Sequence, residues 1–291
     1  MIFFTGPFLL FRSFEGFHIN HIMKQFIYLF LIFSPVLLIA QEVSDSSNFK
    51  LGIFAGYYIS GDATAKYYNG RDNNRLLNFI NLPEVENLIK ESLDGYNFEL
   101  AEYAQDMRYN NAVSFELQAS YLFGNNWNIS LRFHSANLEA AGIFTLRVDR
   151  TNQGNPNTLD PYLEEAKISG KESRSHIDLG LGKEFVFENN LFILTEAGFD
   201  LNFVKVKENK MQIAGRTYSL PLYTNVLNQQ ASPTTTIGTG VYLTAGAGFR
   251  FSNGMDFLLK TTYMNTKINV NDVVVDRLNI FIPSVGFSKM F

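Results

Sequence analysis

The sequence predicts an all-β protein: an eight-stranded antiparallel up-and-down transmembrane β-barrel with long external loops. Three observations predict it. Candidate strands alternate strictly between apolar and polar residues, the composition is aromatic-rich without helix-length apolar runs, and the connections alternate between short and long. Alternation is clearest from Asn111 to Ala136. Phe115, Leu117, Ala119, Tyr121 and Phe123 share one face, while Ser114, Glu116, Gln118 and Ser120 share the other. After Gly124-Asn125-Asn126 the pattern resumes, with Trp127, Ile129, Leu131 and Phe133 opposed to Asn128, Ser130, Arg132 and His134. Successive strand side chains point to opposite faces, so this is a β-hairpin signal. One face is bulky and apolar, and the other holds small residues and isolated charges. That division fits lipid outside and a filled polar lumen inside.

Composition narrows the classes further. The 291 residues are 15 % aromatic and only 18 % charged, whereas a soluble domain typically carries about a quarter charged residues. No run beyond residue 40 approaches the ~20 apolar residues of a membrane helix. Setting aside residues 1–40, with Arg12, Lys24 and Glu15, leaves 22 basic and 27 acidic residues, a net of −5. No basic patch points to nucleic acid. Cysteine is absent, which excludes disulfides, thiol catalysis and cysteine-ligated metals.

Met23-Lys24-Gln25 precedes the apolar run Phe26–Ile39, which ends at Ala40-Gln41. A basic start, a short apolar core and a small residue at its end describe a secretory signal. The expectation is a true start at Met23, cleavage after Ala40, and a single exported barrel domain over 41–291.

The strands follow in order. Strand one, Phe49–Ser60, sets Leu51, Ile53, Ala55, Tyr57 and Ile59 against Lys50, Gly52, Gly56 and Ser60. The hairpin above supplies strands two and three. Strand four, about 173–187, places Ile177, Leu179, Leu181 and Phe185 outward and His176, Asp178, Gly180 and Glu184 inward. The turn Glu188-Asn189-Asn190 leads to strand five, 191–204, with Glu196, Asp200 and Asn202 inward. Strands six (239–251), seven (256–265) and eight (279–291) complete the set, with Arg250 and Lys260 inward. To keep Lys260 off the lipid face, the turn between strands six and seven should have three residues, Asn253–Met255, with a bulge at or beside Gly254.

Short connections at one end and long ones at the other place both termini on the periplasmic side. The long loops carry turn clusters at 67–74, 152–157 and 229–236. One of them also holds a helix signal. Pro83, then Val85, Leu88, Ile89 and Leu93, with Gly95 as a stop, predict a short amphipathic helix. The segments 143–148 and 166–169 are candidates to extend strands three and four above the membrane.

The C-terminal run, from Phe281-Ile282-Pro283 through Gly286-Phe287 to Phe291, resembles the small outer-membrane barrel families: OmpX-like, OmpW-like and PorT-like barrels of Gram-negative bacteria. In those families a terminal aromatic, preceded by apolar residues at alternate positions, is read by the barrel-assembly machinery. Phe281, Val285, Phe287 and Phe291 match that signal, while Lys289 and Pro283 depart from it. Lys289 can snorkel at the interface. Pro283 removes a ladder donor from an edgeless sheet and is expected where the strand enters or leaves the membrane. The resemblance implies an outer-membrane location, outer-membrane lipid and the assembly machinery as partners, and a monomeric chain.

The lumen collects Glu116, Arg132, His134, His176, Asp178, Glu184, Glu196, Asp200, Arg250 and Lys260. Charges in a narrow barrel must be paired or hydrated. Counting across the turns pairs Glu116 with His134, Gln118 with Arg132, and Asp178 with Asp200. That last pair requires a cation, with Arg174, Arg250 and Lys260 as candidates. The expected role of the network is a salt-bridged plug, and a gated pore is its rival reading. For catalysis, a His with a Ser two residues away on one face is the deacylase signature of barrels this size. His134 and Ser135 are adjacent and so diverge, and no catalytic residue, metal site or cofactor is expected. Asp160, Glu164 and Glu165 are read as solvated acids. The functional expectation is therefore a structural or surface-recognition role carried by the loops. Passage of small or hydrophobic solutes is the alternative, and lipid A modification the second.

Overall fold

The computed structural model of the chain describes residues 48–71, 75–150, 162–220, 235–270 and 273–291. The expected signal segment, the 152–157 cluster and most of the 229–236 cluster lie outside these described residues. Strand β1 is Phe49–Ser60, followed by a 3-10 helix (Asp62–Asn69) and helices α1 (Arg75–Ile80) and α2 (Pro83–Ser92). Then come β2 (Asn97–Glu102), β3 (Arg108–Tyr109), β4 (Ala112–Phe123), β5 (Trp127–Asp149) and β6 (Tyr162–Val186). The remaining strands are β7 (Leu191–Ile213), β8 (Arg216–Ser219), β9 (Thr235–Arg250), β10 (Met255–Val270) and β11 (Val273–Met290).

Eight of these strands close a ring in the order β1-β4-β5-β6-β7-β9-β10-β11, and β11 pairs back to β1 antiparallel. Closure satisfies the backbone without a free edge, the condition for spanning lipid with strands. The three short strands decorate its upper end: β2 and β3 pair with β5 beyond the end of β4, and β8 folds back on β7. The alternating faces lie as the sequence pattern requires. Ile53, Phe115 and Phe199 are 66 %, 64 % and 73 % exposed, and the rest of the outward set joins them in a continuous apolar belt. A belt this large on a closed cylinder is a lipid-facing surface. The protein is a membrane-spanning barrel of the outer-membrane type.

The turns at the lower end are tight. Phe123 pairs with Trp127 around Gly124-Asn125-Asn126, where both asparagines have positive φ, a conformation that asparagine tolerates. Asn190 plays the same part after Phe187. Between β9 and β10 the loop does have three residues, but they are Ser252-Asn253-Gly254, one earlier than expected. Phe251 N–H donates to Met255 O at 2.7 Å, so Met255 already belongs to the strand. Gly254 takes φ 76°, and Lys260 faces the lumen opposite Gly246.

Pro283 is a second correction. It sits in mid-belt, with Phe281 and Val285 exposed on either side, and not where the strand meets the interface. Its missing donor interrupts pairing with β1, which jumps from Gly56↔Ser284 to Ile59↔Phe281. The gap leaves an outer hollow of about 570 Å³ beside Ala55, Tyr57 and Val285. Lys289, at the lower rim, turns its ammonium to the carbonyl of Asn253.

Strands three and four rise above the belt as expected, and strand five shares the rise beyond the bound at 204 read from the sequence. β5, β6 and β7 run 23, 25 and 23 residues, far above the belt, and the 143–148 and 166–169 segments pair within that extension. The pattern inverts there. Ser135, Asn137 and Glu139 face outward while Leu138, Ala140, Phe144, Leu146 and Val148 are buried inside. The β1–β4 connection folds down onto this apolar inner face. Tyr67 and Tyr68 of the 3-10 helix, Leu76 and Ile80 of α1 and Ile89 of α2 join Ile168, Val206, Met211 and Ile280 in one core. Helix α2 occupies the expected segment, and Glu91 reaches Arg216 on β8 at 2.8 Å, tying the plug to the far wall.

Close approach of this plug needs Gly170, where a Cβ would lie 1.8 Å from the Tyr68 ring. We predict that Gly170→Ala destabilises the upper half by about 1–3 kcal/mol, as overpacking does. Gly124→Ala, where a Cβ would meet nothing within 4 Å, should change stability by less than about 0.5 kcal/mol. Denaturant unfolding of the detergent-folded barrel measures both.

Candidate functional site

The lumen is filled in layers, each built from inward positions of several strands. Nearest the short turns, Lys50 meets Glu184 at 2.5 Å and Asp256 at 2.8 Å, and Arg250 meets the same two carboxylates at 2.6 and 2.8 Å. Two cations and two anions therefore close a compact ring. Above it lies an apolar layer of Phe54, Phe192, Leu194 and Leu258. Bulky inward residues at these positions belong to no polar-in pattern, and they separate the lower ion ring from the upper one.

The central layer is organised by Arg132. Its guanidinium lies 3.3 Å from both Asp178 and Glu196, donates to Thr244 at 2.8 Å and stacks 4.0 Å from the Tyr242 ring centroid. Tyr242 donates to Glu196 at 2.7 Å. This arrangement leaves no room for a side chain at Gly180, where a Cβ would come 1.8 Å from the Tyr242 hydroxyl. Lys260 reaches Glu116 at 2.5 Å and Gln118 at 2.8 Å. His134 bridges two carboxylates, with Nε2 2.7 Å from Asp178 and Nδ1 3.4 Å from Glu116. One step higher, His176 links Asp200 (2.9 Å) to the Tyr58 hydroxyl (2.8 Å). Asn202 Nδ2 donates to Thr266 at 2.5 Å.

A top layer joins the lumen to the plug. Arg174 donates to Glu172 at 2.6 Å, Ser60 at 2.7 Å and Thr64 at 2.9 Å. Tyr68 and Tyr109, both from the β1–β4 connection, donate to Glu172 at 2.7 and 3.0 Å. Burial and then the Glu172 carboxylate hold both phenols well above the ordinary value of 10.0.

All ten lumenal residues read from the sequence thus lie in the lumen, with the cross-strand pairs Glu116↔His134, Gln118↔Arg132 and Asp178↔Asp200. The counter-cations differ from those expected. Asp178 faces the Arg132 guanidinium and the His134 ring, and Asp200 contacts the His176 ring, while Arg174, Arg250 and Lys260 serve Glu172, Glu184 with Asp256, and Glu116. The sequence analysis passed over Lys50, Asp256, Glu172, Phe54, Tyr58 and Tyr242 as members of the network. Strand parity alone places the first two and the aromatic three inward, so that signal was present. Tyr68 and Tyr109 come from a long connection and had none. Ser135 faces away from His134, as adjacency dictates. Glu164 and Glu165 are successive strand residues on opposite faces, and Asp160 lies outside the described residues. Among the described residues no group of three or more His, Asp or Glu is placed to hold a metal ion.

The chain matches no family model and no curated protein sequence. Similar solved structures include neisserial surface protein A, at 9 % identity over 84 % of this chain and 98 % of that one, TM-score 0.42. OprG from Pseudomonas aeruginosa is 12 % identical over 84 % of this chain and 96 % of its own, TM-score 0.39. The attachment invasion locus protein Ail of Yersinia pestis is 13 % identical over 83 % and 99 %, TM-score 0.33. No functional residue transfers at such identity, and the barrel assignment stands on the geometry above.

Two outcomes follow from the layers. Arg132→Ala strands Asp178 and Glu196 in a fully buried site, so it should cost about 3–5 kcal/mol in unfolding experiments. Removing the exposed Arg147–Glu99 bridge through Arg147→Ala should cost no more than about 1 kcal/mol. The phenols set a pH limit at the other extreme. Their folded-state values are raised, so the stability they lend is complete below pH 10 and is lost as pH climbs beyond it. Hydrogen exchange in the 3-10 helix should accelerate between about pH 10 and 12, and less so in Tyr68→Phe.

Proposed function

We propose that this outer-membrane barrel is a non-conducting surface-recognition protein that presents its upper half to the exterior. One observation carries the reading: the mouth is closed by a continuous apolar core. The β1–β4 connection supplies the inner part of that core, and the barrel walls, chiefly β5, β6, β7, β10 and β11, supply the rest. A conduit has no use for a dry core across its opening, and a fixed display surface does. Long walls, a buried tyrosine knot and the Glu91–Arg216 tie hold this surface in one shape, which lowers the ordering cost of binding a partner.

Passage of small or hydrophobic solutes would require the plug to leave. Excising 63–108 is therefore not a neutral loop deletion. It removes Tyr67, Tyr68, Leu76, Ile80 and Ile89 from the core, and leaves Phe144, Leu146 and Ile168 facing water. Point changes on the outer surface are the cleaner probe, and the chain is taken to act as a monomer that needs no cofactor.

The purified full chain should give no discrete conductance in planar bilayers, and reproducible single-channel steps from it would overturn the plug reading. Cells displaying it should adhere to surfaces that control cells ignore. Glu99→Lys with Glu102→Lys on the exposed β2 edge should cut that adhesion by about tenfold, as loss of an interface anchor does. Equal adhesion by displaying and control cells would sink the recognition role. A changed lipid A mass on expression would favour an enzyme instead.

A further inference from the structure

Lys50 and Lys260 are both buried in the lumen, and their surroundings differ in one respect. Lys50 lies between Glu184 and Asp256, and Arg250 holds both of those carboxylates as well. An ionised carboxylate resists attack by an amine, so that ring stays ionic. The Lys260 ammonium meets one carboxylate, Glu116 at 2.5 Å, and one carboxamide, with Gln118 Oε1 at 2.8 Å. Its side chain has no exposure, and Nζ stands 3.7 Å from the centroid of the Phe54 ring. A nucleophile, a base and a group that can leave as ammonia are packed together against an aromatic ring.

Register builds this arrangement. Glu116, Gln118 and Ser120 share the inner face of β4, and Gln118 Nε2 donates to Ser120 Oγ at 3.0 Å, which leaves Oε1 to the lysine. Lys260 stands on β10, with β11 and β1 between it and β4. In its row those strands carry Ser284 and Gly56, whose lack of bulk leaves the long lysine room to reach β4. The contact therefore spans the seam where β11 closes on β1, whose pairing lapses between Gly56↔Ser284 and Ile59↔Phe281. The chain has no cysteine with which to staple that seam.

We propose that Lys260 and Gln118 condense into an isopeptide bond, with Glu116 as the proton carrier. Glu116 takes one proton from the ammonium, and the freed Nζ lone pair attacks Gln118 Cδ. Glu116 gives that proton to Nε2, the Cδ–Nε2 bond breaks, and ammonia leaves as the carbonyl re-forms. Glu116 then removes the surplus proton from the new amide nitrogen. Burial and an adjacent base activate a lysine amine, and holding the amine against the carboxamide makes the attack unimolecular. The product replaces a buried ion pair with a neutral amide and a neutral acid, which a closed lumen accommodates at lower desolvation cost. It ties β4 to β10 covalently across the seam, so the ring cannot part there once the bond has formed.

Mass spectrometry of a tryptic digest tests it on the full chain refolded from urea into detergent, with no other protein present. Segment 109–132 should appear joined to segment 251–267, lighter by one ammonia than the two together. Fragment ions should place the bond between Gln118 and Lys260, and trypsin should not cut after Lys260. The chain kept in urea should show no such species, and Lys50 should stay unlinked. Glu116→Gln should slow formation about a hundredfold, as loss of a general base does. Gln118→Met, which keeps the Lys260–Glu116 pair, should abolish it. Heat-modifiable migration confirms that each variant has folded. Absence of the linked species from the folded wild type overturns the proposal, whether or not either variant folds. So does linkage in urea, linkage at the wild-type rate in folded Glu116→Gln, or a Lys260 link that survives Gln118→Met.

Discussion

An unpaired backbone amide in hydrocarbon costs several kcal/mol, and the architecture answers that constraint. The sheet must close, and eight strands close on a lumen just wide enough for side chains. Once the lumen is that narrow, inward charges have no bulk water, and each must find a partner of opposite sign or a hydrogen bond. Arg132 between Asp178 and Glu196, and Lys260 on Glu116, are consequences of closure as much as of sequence. In the central and top layers, Glu116, Asp178, Glu196, Asp200 and Glu172 outnumber Lys260, Arg132 and Arg174. His134 and His176 fill the remaining places opposite carboxylates. A buried pair is weak evidence for net stability, while breaking one is costly. The network thus fixes which strands may be neighbours more than it raises the folding free energy.

The same narrowness governs where bulk can go. A large inward side chain is admitted where the facing position has none, as Tyr242 is admitted at Gly180. The apolar disc of Phe54, Phe192, Leu194 and Leu258 divides the ions into two groups. Pro283 shows the limit of tolerance. A missing donor in mid-belt is survived because its neighbours keep their pairs on the β10 side, where Thr261 still faces it.

How far the sequence could be read depends on the solvent at each height. Within the belt, lipid outside and ions inside give one parity, and β1 was legible to its terminal residues, Phe49 and Ser60. Above the belt water replaces lipid, and the inner face packs against the plug. The rule inverts at about Ser135 on β5 and Ser173 on β6. Reading one parity along the whole strand therefore ends it at the interface, although the ladder continues to Asp149 and Tyr162. The ten lumenal residues were legible from parity, and so was the Glu116–His134 contact, whereas the partners across the lumen were not. Adjacent-strand counting sees Asp178 beside Asp200, but Lys50 meets Glu184 across the lumen, between strands that are not neighbours.

The plug follows from that inversion. Three raised strands present Phe144, Leu146, Ile168, Val206 and Met211 toward a space that water would otherwise fill. Such a face cannot stand open, since each fully buried side chain of this size is worth about 1.5–3 kcal/mol relative to exposure. The β1–β4 connection is the segment with the length and the apolar residues to cover it, and Glu172 gives Tyr68 and Tyr109 one shared acceptor to dock on. One chain thus carries two cores of opposite sense. In the belt the polar groups are hidden and the apolar ones exposed, and above it the arrangement is reversed. The change falls where the outer wall turns from phenylalanine to serine and lysine, at Phe203 and Lys205 on β7 and Ser175 and Ser173 on β6.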